Sequence, residues 1–146
     1  MKDYSQHAAA AIVPMLYMKD LSTAIEFYKK AFGAEERWRI EHEGNVHVAE
    51  MFIPSLLFRM HEEVKRDNEL SPSTLNATSI VIGLLVKDPD ELAARAVAAG
   101  AIELSPVQEF DYGYRQGTIR DPFGHHWCLE RMDDFYKKPS MVATVT

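Results

Sequence analysis

An α+β fold of two tandem βαβββ modules is what this sequence predicts, forming a cupped mixed sheet around a cavity with the helices outside. Three observations predict it. A unit is written twice: "AIVPMLYMKDLSTAIEFYKKAFGAEE" and "TSIVIGLLVKDPDELAARAVAAGAIE" each run from an apolar strand through Lys-Asp and a helix to a terminating glycine. Strand candidates follow each copy. A charged and then Ser/Pro-rich stretch, "EEVKRDNELSPSTLN", separates the two and reads as a linker.

The elements follow in order. "AIVPMLYM" is the first strand, rich in apolar and aromatic residues. In the next segment Ala24, Ile25, Phe27, Tyr28, Ala31 and Phe32 recur at helical spacing, and Gly33 is a stop signal. "RWRIEHEGNVHVAEMFI" supplies two strands around a Glu-Gly turn, and "PSLLFRMH" a third. Module one therefore spans about 12–62, the linker 62–77, module two about 78–131 and a C-terminal tail 132–146, all within one domain over 1–146. In module two the strands centre on "VQEF", "YRQGTIR" and "HHWCLER". Asp20 and Asp88 lead from strand to helix, with Ser22 and Asp90 as expected N-caps. If one helix covers one face of each sheet, the other face is left to line a shared cavity.

Composition removes whole classes of function. At 47% hydrophobic and 26% charged, the 146-residue chain is globular. A net charge of −6 argues against nucleic acid and acidic membranes as partners, because no basic stripe is present to neutralise phosphates. No run approaches the roughly 20 apolar residues of a membrane span. Cys128 is the single cysteine, so no internal disulfide forms, and a reducing cytoplasmic location is expected.

"RDPFGHHWCLE" holds the densest chemistry. Asp121, Pro122 and Gly124 suit the first, second and last positions of a type I turn, which explains this segment structurally. Alternation then puts Trp127 on the face opposite His126 and Cys128, where its ring can pack under a helix. His125, just past the turn, is expected to be largely exposed.

"AIEFYKKAFGAEE", "ELAARAVAAGA" and above all "YGYRQGTIRDPFGHHWCLE" resemble the vicinal oxygen chelate superfamily, also called the glyoxalase/bleomycin resistance/dioxygenase family, and within it the PhnB-like branch. The resemblance runs from about Ile12 to about Arg131, through both modules in order. Metal-using members of that superfamily draw His or Glu ligands from the first and last strands of each module. Matched to that pattern, this chain holds Val13, Phe58, Val81 and Cys128 in those seats, which implies no metal and no other cofactor. A site built instead on His126, Cys128 and Glu130 is strained by geometry. Their strand spreads His126 and Glu130 over about 13 Å, so helpers such as His47 or Glu50 would be needed.

The expected cavity lining is Val13, Met15, Tyr17, Phe58, Met60, Val81, Gly83, Leu85, His126 and Cys128, an apolar and sulfur-rich set suited to a hydrophobic or aromatic small molecule. Tyr17, Glu50, Tyr112, Tyr114, Arg115 and His126 are the candidate orienting groups, and Arg115 or Arg120 could meet an anionic group. The resemblance implies a sequestering protein of the bleomycin-resistance type. The alternative is a lyase, isomerase or dioxygenase, with His126 and Glu50 as the acid/base pair if no metal is used. Cys128 would be a nucleophile only with a lowered pKa. A homodimer is expected, from the habit of such relatives and from the exposed strand edges and apolar tail "SMVATVT".

Overall fold

The computed structural model describes residues 11–54 and 56–132. His7 and the tail "SMVATVT" lie outside the described residues. The first half runs β1 (Met15–Met18), α1 (Leu21–Phe32), β2 (Glu35–His42), β3 (Asn45–Ile53) and β4 (Leu56–Glu62). A short helix α2 (Pro72–Leu75) sits in the linker. The second half runs β5 (Val81–Leu85), α3 (Pro89–Ala99), β6 (Ile102–Glu109), β7 (Tyr114–Arg120) and β8 (His126–Met132). The two sheets have the same order, β1-β4-β3-β2 and β5-β8-β7-β6. In each the first strand pairs parallel with the last and the remaining pairs are antiparallel. This is the predicted pair of βαβββ modules.

Both strand-to-helix junctions are capped two residues earlier than expected. Asp20, not Ser22, accepts from the Thr23 backbone N–H, and Asp88, not Asp90, accepts from that of Glu91. Neither aspartate of the Lys-Asp pairs has helical backbone angles, so each carboxylate reaches forward over the first turn. Gly33 ends α1 in the left-handed conformation, its N–H returning to the Lys29 carbonyl.

α1 buries every residue of its predicted apolar stripe, and Tyr28, Phe58 and Trp127 pack as a cluster of rings joining the halves. Trp127 is fully buried, as alternation along β8 requires. Phe58 and Met60 depart from expectation: both are fully buried beneath the helix layer, not on the face that was to line the cavity. The register explains it, since Met60 lies opposite Leu16 and Ala49, and Phe58 opposite Met51, all core residues. Arg115 is on the helix-covered side as well, sharing the parity of buried Ile119. Its Nε and Nη2 donate to Asp90 at the start of α3 at 2.7 and 2.6 Å, so it is committed to an ion pair.

The Asp121 turn forms as expected, with the Gly124 N–H returning to the Asp121 carbonyl at 3.1 Å. His125 is buried, contrary to expectation. Its Nε2 donates to the Tyr17 carbonyl at 3.0 Å, so packing between modules, not turn position, sets its exposure.

Candidate functional site

Each sheet has a face turned away from the helices, and strand register arranges its side chains in rows. On the first sheet Met15, Arg59, Glu50 and Trp38 form one row across β1, β4, β3 and β2. Tyr17, His61, Val48 and Ile40 form the next. On the second sheet Val81, His126, Arg120 and Ile102 make one row, and Gly83, Cys128 and Thr118 another. Leu85, Glu130 and Gln116 make a third.

Among these polar groups, the faces carry large apolar side chains that one chain leaves uncovered. Met15 is 38% exposed, Ile40 55%, Val81 51%, Leu85 46% and Ile102 52%. Large apolar side chains gathered in this way mark a surface that something covers. Two open clefts, of about 440 and 510 Å³, lie instead beside α1 and α3, and no residue of the open rows lines either.

Sequence-predicted residues divide by where register puts them. Met15, Tyr17, Glu50, Leu85, His126 and Cys128 are on the open faces. Tyr114 continues the Gln116 face, and Tyr112 stacks on Phe110 with ring centres 5.2 Å apart while accepting from Gln116 Nε2 at 3.0 Å. Tyr17 touches the His61 ring, and burial, then a hydrogen bond to Glu69, raises its phenol pKa.

Glu50 is the least exposed polar group of these faces. Trp38 Nε1 donates to its Oε2 at 2.9 Å and Arg59 Nε to its Oε1 at 3.0 Å. Both oxygens are thereby engaged. Glu50 and His126 stand on different sheets, and among the described residues no hydrogen bond joins them. Burial, then the Glu130 carboxylate, pushes the Cys128 thiol up to about 11, which leaves it protonated at neutral pH.

The donors of one chain do not fit a metal. Val13 precedes β1, Phe58 is in the core, and Val81 has no donor atom. His47 is bound to Glu62, on the parity of core residues Ala49 and Met51. Among the described residues no three His, Cys, Asp or Glu side chains converge as ligands would. Sequence reasoning missed the Arg59–Trp38 pairing around Glu50. The available signal was the alternation in "LLFRMHE", where apolar Phe58 and Met60 mark the core side and Arg59 and His61 the other.

The family model described as the Glyoxalase/Bleomycin resistance protein/Dioxygenase superfamily matches residues 6–129. An uncharacterized protein of Mycobacterium bovis is 34% identical over 123 residues, covering 82% of this chain and 81% of its own length. One from Mycobacterium tuberculosis has the same identity over 72% of its length. Among solved structures, TioX from Micromonospora sp. ML1 superposes with a TM-score of 0.68 at 24% identity, over 86% of this chain and 100% of that one. The fosfomycin resistance protein FosX from Listeria monocytogenes, solved with Mn(II) and sulfate, gives 0.67 at 20% identity, over 87% of this chain and 93% of its own. At these identities the structural likenesses speak for the fold.

Proposed function

This chain belongs to the Glyoxalase/Bleomycin resistance protein/Dioxygenase superfamily, and from that premise we propose that it binds a small hydrophobic or aromatic molecule against its open sheet faces without a resident metal. The observation that carries the reading is the row arrangement. Apolar side chains from Met15 to Ile102 lie unpacked around a few fixed polar groups, the composition of a small-molecule site. A second copy of the chain is the proposed cover, since one chain leaves these faces open, and a cytoplasmic location suits the single unpaired thiol. An acid/base enzyme draws less support, because Glu50 has both oxygens engaged and the Cys128 thiol is protonated.

Two measurements test this. Titration with N-phenyl-1-naphthylamine, a neutral aromatic dye, should saturate. Leu85→Asp should abolish binding, while Val97→Asp, which charges an exposed position on α3, should leave it intact. Sedimentation at micromolar concentration should show about twice the 16.6 kDa chain mass. Equal dye binding by both variants, or only single-chain species, would count against the corresponding part.

A further inference from the structure

We infer that Arg59 is an anion anchor, so that the molecule held by the open faces carries one oxyanion group, such as a carboxylate or sulfonate, on its apolar or aromatic body. This rests on the binding reading above and names the chemical class it would take.

Arg59 is presented differently from Arg115 on the second sheet and Arg39 on the first. Arg115 donates through Nε and Nη2 to Asp90 on the helix-covered side, and Arg39 uses Nε and both Nη groups on Glu36 and Glu41. Arg59 gives only Nε to Glu50, and among the described residues neither Nη group donates to a protein acceptor. The side chain is nevertheless fixed. Glu50 is buried and is itself held by Trp38 Nε1, and the guanidinium carbon lies 5.8 Å from the centre of the Trp38 ring. A buried carboxylate therefore orients a half-exposed guanidinium whose Nη edge stays available. That edge matches two oxygens of one oxyanion, the pairing that makes arginine the usual partner of carboxylate.

The surroundings supply the rest of the ligand. Met15 stands across the row from Arg59, and Trp38 ends the row on β2, so apolar and aromatic surface flanks the cationic edge. Glu50 offsets the net charge of Arg59, but both of its oxygens are engaged by Arg59 Nε and the indole N–H, which leaves the Nη N–H groups as directional donors for an oxyanion. A chain of net charge −6 has little general affinity for anions, so anion capture must be local.

The test compares two dyes with one skeleton, 1-anilinonaphthalene-8-sulfonate and its neutral counterpart N-phenyl-1-naphthylamine. The wild-type protein should bind the sulfonate more tightly, and added salt should weaken the sulfonate alone. Arg59→Gln should weaken the sulfonate roughly tenfold and leave the neutral dye within about twofold. Arg59→Lys, which keeps the charge without the fork, should fall between, and Arg66→Gln on the exposed linker should change neither dye. If Arg59→Gln weakens neither dye, or both equally while its urea midpoint holds, the anchor is overturned and the binding reading stands. If Arg120→Gln removes the preference instead, the anchor is misplaced and overturned. If neither dye binds wild-type protein, the binding reading falls and the anchor falls with it.

Discussion

Tyr28 on α1 donates a 2.5 Å hydrogen bond to the Asp121 carboxylate, joining the helix of one module to the β7–β8 turn of the other across 93 residues of chain. Trp127 Nε1 donates to the same oxygen at 2.9 Å, and the Phe123 and His125 backbone N–H groups donate to the other at 2.9 and 3.0 Å. Asp121 is buried, so this carboxylate is stable there only because it is fully bonded. The turn residue is thereby a latch between modules.

Tyr28→Phe keeps the ring packing and removes one donor from a buried charge. It should lower unfolding free energy by about 1–3 kcal/mol. Asp121→Ala removes the acceptor of all four donors and should cost more. Urea midpoints compared at constant m-value check both, and an unchanged midpoint for either variant would show that the latch contributes nothing.

Acid should weaken the first helix through Asp20. Its hydrogen bonds from the Thr23 hydroxyl and backbone N–H hold the carboxyl below the ordinary aspartate value. The folded pKa is depressed, so the stabilisation is present above the unfolded value of about 3.9 and is lost as pH falls through the lower folded value. Asp20→Asn keeps a capping acceptor without the titration, so its urea midpoint should drop less than wild type between pH 7 and pH 3. Asp20→Ala should cost roughly 1 kcal/mol at pH 7. An equal acid loss in wild type and Asp20→Asn would remove Asp20 as the cause.

Residues whose neighbours lie along one strand were legible in the sequence, and those decided across strands were not. Alternation alone separated Trp127 from His126 and Cys128, and helical spacing alone identified the buried side of α1. β4 was harder because leucines, Phe58 and Met60 give both of its faces apolar residues, and a one-residue choice of parity inverts the strand. The Trp38–Glu50–Arg59 row was out of reach for a further reason. Register shifts within β2 change which residue meets Glu50, and no local pattern announces a bulge. Burial of His125 depends on a carbonyl 108 residues away.

Cys128 should behave as an inert thiol in the folded protein. With its pKa raised to about 11 by burial and Glu130, only a small fraction is thiolate at pH 8. Iodoacetamide should modify it far more slowly than the same chain in urea, with a rate that climbs towards pH 11. Glu130→Gln should speed the reaction by removing the carboxylate that disfavours the thiolate. Fast labelling of native protein at neutral pH would instead return Cys128 to the list of nucleophiles.

Metal content separates the binding reading from the enzymatic alternative most sharply. Of the seats matched by family resemblance, Val13, Phe58 and Val81 offer no donor atom, and the Cys128 thiol would have to lose a proton that its surroundings hold tightly. Glu50 would have to surrender hydrogen bonds from Trp38 and Arg59 to help. His61 and His126 then remain on the open faces, one on each sheet, and zinc sites ordinarily need three or four protein ligands. Protein grown in metal-rich medium should carry far less than one equivalent of zinc, nickel, iron or manganese, and a chelator should leave its thermal midpoint unchanged. His126→Ala should not alter metal content, and should weaken dye binding by no more than the roughly 1 kcal/mol of one hydrogen bond. One tightly held ion per chain, lost on replacing His126 or Glu130, would overturn this and make the metal-dependent enzyme the better account.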